Sequence, residues 1–388
     1  MKYTNFAELK LSALGFGAMR LPTLENGEID ISLTEKMIDT AISKGVNYFD
    51  TAWPYHSGLS EVTVGKILSK YPRDTWYLAN KYPGHQIMKE YNPAEIFERQ
   101  LEKCGVEYFD FYLLHNVYEK SIDTYLDERW GIIDYFLEQK RLGRIRHLGF
   151  STHASPETLR KFLERVGDKM EFCQIQLNYL DLTLQSADQK LEMLKEYGIP
   201  VFVMEPVRGG RLARLPEPAE KILKEFRPDE SIASFAFRWL QNIPSVKVVL
   251  SGMSNMEQIL DNIKTFSGGE PLSDEENAAL FKIAEGLKDA VPCTACRYCV
   301  DTCPAKLNIP ELISIYNDLK YAPTTNTAMR IEAMPVEARP ISCITCGRCL
   351  KHCPQNIDIP GTFLKMQKIL DNIPSWEAVC REREKNQR

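Results

Sequence analysis

Between residues 14 and 251, eight short apolar runs alternate with amphipathic stretches, and no other feature of this 388-residue chain limits its fold so strongly. The runs are LGFGAM, NYFDTA, WYLANK, FDFYLLH, IRHLGFS, FCQIQL, PVFVME and VKVVLS. Between them lie SLTEKMIDTAISKG, SEVTVGKILSKY, NPAEIFERQLEKCG and similar stretches, whose apolar residues recur at helical spacing. Short continuous apolar runs read as strands buried on both faces, and strands separated by helices pair in parallel. Eight such units over about 250 residues are the count and length of a closed (β/α)8 barrel, an α/β fold. An open doubly wound sheet would carry G-x-G-x-x-G after its first strand. LGFGAMRLP contains no such run.

In a barrel of this kind, ligand is met at the C-terminal ends of the strands. Asp50 ends the second strand, Tyr55 follows in its loop, Lys81 ends the third and His115 ends the fourth. Singly, these are a capping Asp, an interfacial Tyr, a solvated Lys and a core His. Together, at one end of three consecutive strands, they form a constellation. Over roughly residues 10–266 the chain resembles the aldo-keto reductase superfamily. The resemblance is carried by GVNYFDTAWPYHSGLSEVTVGKIL (with Ser60, Glu61 and Gly65), by ANKYP with Lys81 and by FYLLHN with His115. It implies an oxidoreductase that reduces a small-molecule aldehyde or ketone with NAD(P)H, or oxidises the alcohol. Tyr55 would then be the general acid. A free phenol has a pKa near 10, and on this reading the Lys81 ammonium lowers it. Asp50 would hold Lys81, and His115 would orient the substrate oxygen. Trp53, His56, Tyr82, Asn116 and Tyr118 are expected to line the pocket.

The same resemblance supplies a cofactor track. GFSTH offers Ser151, with Thr152 where the family has Asn, and QIQLNY offers Gln176, all for the nicotinamide amide. VLSGMSNMEQILDNI resembles the adenosine site through Gly252, Ser254, Gln258 and Asn262, and it opens a helix whose amides suit an anion. The plainer reading of that stretch is an ordinary N-capped helix. Where the family stacks an aromatic residue, VMEPVRGGRL places Met204 or Glu205. No Lys or Arg occurs in SGMSNMEQ to hold a 2′-phosphate. Arg208, Arg211 and Arg214 are the substitutes, or else a solvated basic loop, so NADP is the expected dinucleotide, with NAD as the alternative.

Of eleven cysteines, Cys104, Cys173 and Cys380 stand alone, and the first two read as small buried apolar residues. The other eight are Cys293, Cys296, Cys299 and Cys303, then Cys343, Cys346, Cys349 and Cys353. Both runs read C-x2-C-x2-C-x3-C-P. A disulfide framework suits small exported domains, and zinc sites use separated C-x2-C pairs. In this pattern three thiolates surround one cubane while the fourth reaches the other cluster. The runs resemble a bacterial-type two-cluster ferredoxin domain. About forty residues separate them, and PELISIYNDLKYAP among these has helical spacing, so the expected domain is small and mainly α-helical. The resemblance implies two [4Fe-4S] clusters, which either transfer electrons, with an external one-electron redox partner as one destination, or are structural.

TFSGGEPLSDEE marks the join, with Ser273 capping the helix that follows. The expected domains are a barrel over 1–268, a linker and connecting helix over 269–290, and a cluster domain over 291–388. A net charge of −5 points to neither nucleic acid nor an anionic membrane. No apolar run approaches the roughly 20 residues of a membrane span. The start lacks a basic segment followed by an apolar one, so the expected location is the cytoplasm. Hydride brings two electrons and a cluster takes one. A flavin would bridge them, yet no flavin signature appears. The alternatives are therefore a nicotinamide-binding redox sensor that docks a partner, and a flavin-bridged electron-transfer enzyme.

Overall fold

The computed structural model describes every residue except 87, 185, 288, 289, 322, 324, 376, 377 and 379–388, so Cys380 lies outside the described residues. Ten strands occur among those described. They are β1 (Tyr3–Phe6), β2 (Leu9–Ser12), β3 (Leu14–Gly17), β4 (Tyr48–Asp50), β5 (Tyr77–Tyr82), β6 (Phe109–Val117), β7 (Ile145–Thr152), β8 (Cys173–Gln176), β9 (Val201–Met204) and β10 (Val246–Ser251). β3 to β10 pair in sequence order, all parallel, and β10 closes on β3. These are the eight expected strands of the (β/α)8 barrel.

The sequence reading missed β1 and β2, an antiparallel hairpin ahead of the barrel. Its Phe6 plugs the end at which the strands begin. The ring lies edge-on to Phe172 and Phe202, with centroids 6.1 and 5.5 Å away, and it also meets Phe111 at 5.4 Å. Tyr48, Ala79, Leu113 and Val248 complete this floor. Each aromatic pair contributes about 0.5–1.5 kcal/mol beyond its buried area. One end of the barrel is thus packed shut, which leaves the C-terminal ends of the strands for chemistry.

Local chemistry starts and stops the helices. Asp30 Oδ1 accepts from Leu33 N at 2.9 Å to cap Ile31–Ser43. Asn92 caps Pro93–Cys104, and Gly105 ends it at φ 64°. Ser273 and Glu276 exchange hydrogen bonds, a capping box at the start of Asp274–Leu287. Gly65 has a different reason to be glycine. A Cβ there would lie 2.2 Å from the carbonyl oxygen of Cys104, which is backbone and cannot swing aside. Gly65→Ala is therefore expected to destabilise the protein by about 1–3 kcal/mol, read from denaturant unfolding. An unchanged midpoint would mean that the helices Leu59–Leu68, which carries Gly65, and Pro93–Cys104 separate freely.

By compactness the chain divides into two units, and the division does not follow chain order. One comprises Met1–Pro206 and Ala233–Phe281; the other comprises Val207–Ile232 and Lys282–Arg388. The second unit is duplicated at the level of its backbone. Ala295 and Arg297 have φ of 54° and 68°, and their equivalents fifty positions on, Thr345 and Gly347, have 52° and 69°. Lys306 and Asn356 repeat the match at 51° and 50°. Each run is followed by a helix, Ile309–Tyr321 and Ile359–Leu370, and these share a core of Leu312, Ile313, Tyr316, Phe363 and Met366. This is the helical domain expected from the spacing. Among the described residues no helix is long and apolar enough to cross a membrane.

Candidate active site and cluster centre

Parallel pairing sets Asp50 of β4 level with Ala79 of β5, and Lys81 lies one turn of the pleat further along the same face. The two meet across the strands. Lys81 Nζ donates to Asp50 Oδ1 at 2.6 Å and to the Thr51 carbonyl at 2.8 Å, and both side chains are almost wholly buried. Burial pushes Lys81 down and Asp50 up, and each charge draws the other back. Removing one partner of such a pair typically costs about 3–5 kcal/mol. The ammonium sits 5.0 Å from the centre of the Tyr55 ring. His115 lies edge-on to the same ring at 6.1 Å. The four expected residues are together.

The expectation for the phenol is corrected. Tyr55 stands well above its usual value, first because it is buried and then because of the Asp50 carboxylate; Arg20 pulls it down and Glu205 pushes it up. Lys81 is engaged by Asp50 and the Thr51 carbonyl, and the Asp50 carboxylate acts on the phenol in the sense opposite to the ammonium. Tyr55 is consequently fully protonated at neutral pH. Burial holds His115 well below its usual value, with His85, Lys81 and His153 adding to the effect, so its imidazole is neutral. Its Nδ1 is buried without a hydrogen-bond partner among the described residues. A neutral ring with a spare nitrogen can orient a polar oxygen.

The residues of the cofactor track occupy the ends of neighbouring strands. Ser151 Oγ accepts from Asn116 N at 2.8 Å, and Thr152 Oγ1 donates to the Val117 carbonyl at 2.6 Å. Gln176 Nε2 donates to Asp181 Oδ2 at 2.7 Å. Met204 Sδ accepts a long contact from Gln174 at 3.7 Å. Glu205, at φ 57°, meets Arg20 at 3.1 Å. After β10, Asn255 caps the helix Met256–Ser267 by accepting from Gln258 N, while Gln258 Oε1 accepts from Ser254 N at 2.8 Å. Ser254 Oγ donates to the Arg20 carbonyl, Gly252 faces the Arg20 side chain, and Asn262 Nδ2 donates to Ser251 Oγ at 3.0 Å. The loop is an N-capped helix start, already formed. Arg208 belongs to the second unit and is fully buried, so it is not part of a solvated basic loop.

In the second unit the cysteines sort across the two runs. One space is lined by Cys293, Cys296, Cys299 and Cys353, the other by Cys343, Cys346, Cys349 and Cys303. The thiols that raise Cys299, after burial, are Cys296, Cys293 and Cys353, whereas Cys349 feels Cys343, Cys303 and Cys346. Among the described residues no three His, Cys, Asp or Glu side chains converge closely enough for a lone metal ion. Four thiols lining one space suit a cubane, and the alternating backbone of each loop is the kind that turns N–H groups toward an anionic group. The donor set fits iron–sulfur clusters. By contrast, Cys104 and Cys173 are buried in the barrel unit.

Residues 13–285 match the model of the aldo/keto reductase family, which is well over half of the chain. The chain belongs to the aldo/keto reductase family. Residues 292–357 match the 4Fe-4S dicluster domain, so this aldo/keto reductase carries a ferredoxin-type segment after its barrel. It is similar to an uncharacterised oxidoreductase of Bacillus subtilis, 26% identical over 303 residues, covering 71% of this chain and 93% of the relative. It is also similar to the NADH-specific methylglyoxal reductase of Escherichia coli, 24% identical over 326 residues, covering 72% and 97%. Among solved structures, the holo form of an aldo-keto reductase from Bacillus halodurans superposes with a TM-score of 0.61 at 29% identity, covering 73% and 96%.

Within this aldo/keto reductase one expected pocket residue, Tyr82, points elsewhere. Tyr82 packs on Phe136 with ring centroids 5.2 Å apart, in the layer between strand and helix. Side chains alternate along a strand, so with Lys81 facing inward Tyr82 must face outward. Trp53 lies under Arg99 and Lys103, and His56 Nε2 accepts from Leu21 N at 3.1 Å. Three residues that the sequence reading passed over belong to the site. The His85 ring is 4.3 Å from that of His115, His153 adds its field to His115 and itself feels His85, and Arg20 bonds Glu205 and flanks Gly252. His85 and His153 lie within four residues of Lys81 and Ser151, which is the signal a strand-end search would have caught. Arg20 had no such signal.

Proposed function

We propose that this protein reduces an aldehyde or ketone, or oxidises the corresponding alcohol, by hydride transfer with a nicotinamide dinucleotide, and that it holds two [4Fe-4S] clusters for one-electron transfer. The observation that carries the first part is the buried Lys81–Asp50 pair at 2.6 Å with Tyr55 and His115 beside it at the open end of the barrel. When bound, the nicotinamide supplies the hydride. The protein's residues do the rest. The Tyr55 hydroxyl, protonated at neutral pH, gives its proton to the carbonyl oxygen as carbon is reduced. His115, neutral, hydrogen-bonds that oxygen and fixes its direction. Asp50 keeps Lys81 in place over the phenol ring. Ser151, Thr152 and Gln176 would hold the amide end of the dinucleotide, Met204 and Glu205 the nicotinamide face, and Gly252, Ser254, Gln258 and Asn262 the adenosine end. The Escherichia coli relative is named for NADH and methylglyoxal, which makes both the first compounds to assay, beside NADPH. Steady-state loss of nicotinamide absorbance with a panel of aldehydes and ketones tests the reading. No turnover on any of them, with nicotinamide bound, would leave a binding protein.

Cys293, Cys296 and Cys299 with Cys353 would hold one cluster, and Cys343, Cys346 and Cys349 with Cys303 the other. When bound, these clusters supply one-electron steps. Anaerobic preparations are expected to contain about eight iron and about eight acid-labile sulfide per chain, four of each per cubane. Zinc without labile sulfide would overturn this assignment. The proposed domains remain a barrel over 1–268, a connecting segment over 269–290 and a cluster domain over 291–388, with the residues 207–232 joining the latter in space.

A further inference from the structure

The duplication lets one half of the cluster domain serve as a control for the other, and the two halves differ in what they show to solvent. In the first run Thr294 is 3% exposed; its equivalent Ile344 is 63% exposed. Val291 and Val300 are half-buried, whereas their counterparts Ile341 and Leu350 are 65% and 41% exposed. Cys296 is half-buried and Cys346 is exposed. The first loop has a cover within its own unit. Gly209, at φ 65°, comes so close that a Cβ there would lie 2.4 Å from the Thr294 carbonyl oxygen. Charge changes too. Asp301 is replaced by Lys351, Thr302 by His352 and Tyr298 by Arg348. Arg348, Lys351 and His352 line a hollow beside Cys303, with Asp301 as the one carboxylate lining it.

An apolar patch around an exposed ligand cysteine, rimmed by cations, is an interface composition, not a solvated one. The geometry points to the face around Cys346 as the docking surface for a small acidic one-electron carrier protein, an inference that rests on the cluster reading above. One electron crosses per encounter: the carrier is oxidised as the cluster held by Cys343, Cys346, Cys349 and Cys303 is reduced, or the reverse. Ile341, Ile344 and Leu350 supply the dry centre that shortens the distance to the cluster. Arg348 and Lys351 select the sign of the partner and speed its approach.

The test uses the intact holoprotein, flavodoxin as the acidic carrier and reduced methyl viologen, a small cation that needs no docking surface, as the control donor. Lys351→Asp writes into the second run the charge of the first, and Ile341→Gln removes apolar surface; neither residue is a cluster ligand. Each variant is expected to weaken flavodoxin binding and to slow electron delivery from reduced flavodoxin. For Lys351→Asp the loss should be on the order of tenfold at low salt. Raising the ionic strength to about 1 M, where the Debye length falls to about 3 Å, should erase the difference. Iron content, viologen reduction and carbonyl turnover should stay at wild-type values. Unchanged flavodoxin binding in both variants would overturn the docking surface while leaving the clusters competent. A dimer that Ile341→Gln dissociates would instead assign the patch to a second copy and overturn it equally. Failure of viologen itself to reduce the protein would remove the electron-transfer reading, a separate outcome.

Discussion

Tyr55→Phe is expected to lower carbonyl reduction by about 10²–10⁴-fold while nicotinamide affinity stays nearly unchanged. That range corresponds to about 3–5 kcal/mol of lost transition-state stabilisation. Only the hydroxyl is removed. The ring that lies edge-on to His115 and beneath Lys81 is retained, so packing and the buried ion pair should survive. The high phenol pKa gives the prediction its sign: burial and Asp50 keep the proton on Tyr55 throughout the neutral range, and no other group of the four is placed to donate it there. Asp50 is tied to Lys81, Lys81 to Asp50 and the Thr51 carbonyl, and His115 is neutral. Single-turnover reduction by pre-bound NAD(P)H is the cleanest measurement, because it isolates the chemical step. A variant that keeps more than about a third of the wild-type rate constant, far above the loss expected of a general acid, would remove Tyr55 from that role.

Cys303→Ala is expected to abolish the cluster of the other run, not its own. Cys303 lines the space of Cys343, Cys346 and Cys349, and Cys353 lines that of Cys293, Cys296 and Cys299. Iron should fall from about eight to about four per chain. Iodoacetamide should then alkylate Cys343, Cys346 and Cys349 and spare Cys293, Cys296 and Cys299, with the pattern reversed in Cys353→Ala. Labels on the run that carries the substitution would show that the fourth ligand does not cross. The same sample separates electron transfer from stapling. With the clusters in an electron path, one-electron exchange collapses while NAD(P)H-driven carbonyl reduction persists. With the clusters only structural, every activity falls in step with the folded fraction, because metal binding and folding are then one event.

Much of this was legible in the chain because it rests on short-range regularities. Eight apolar runs separated by helical patterns specify a closed parallel barrel, and a barrel gathers the C-terminal ends of all its strands. Asp50, Tyr55, Lys81 and His115 therefore had to meet once the strands were placed. The C-x2-C-x2-C-x3-C-P spacing works in the same way, since three thiols in seven residues can only surround something close by. Contacts made at long range were not legible. The hairpin Tyr3–Ser12 carries too few apolar residues to announce itself, and Phe6 has meaning only against rings from β6 and β9 and one beside β8. Arg20 and Glu205 lie 185 residues apart, and their pairing depends on β10 closing onto β3. The sign of the Tyr55 shift depended on depth, because burial outweighs a neighbouring ammonium that is already engaged. Sequence spacing determined which residues would be neighbours along a strand, a helix or a cluster loop. Only the tertiary structure decided what was buried and what faced solvent, since burial is set by elements packed from distant parts of the chain.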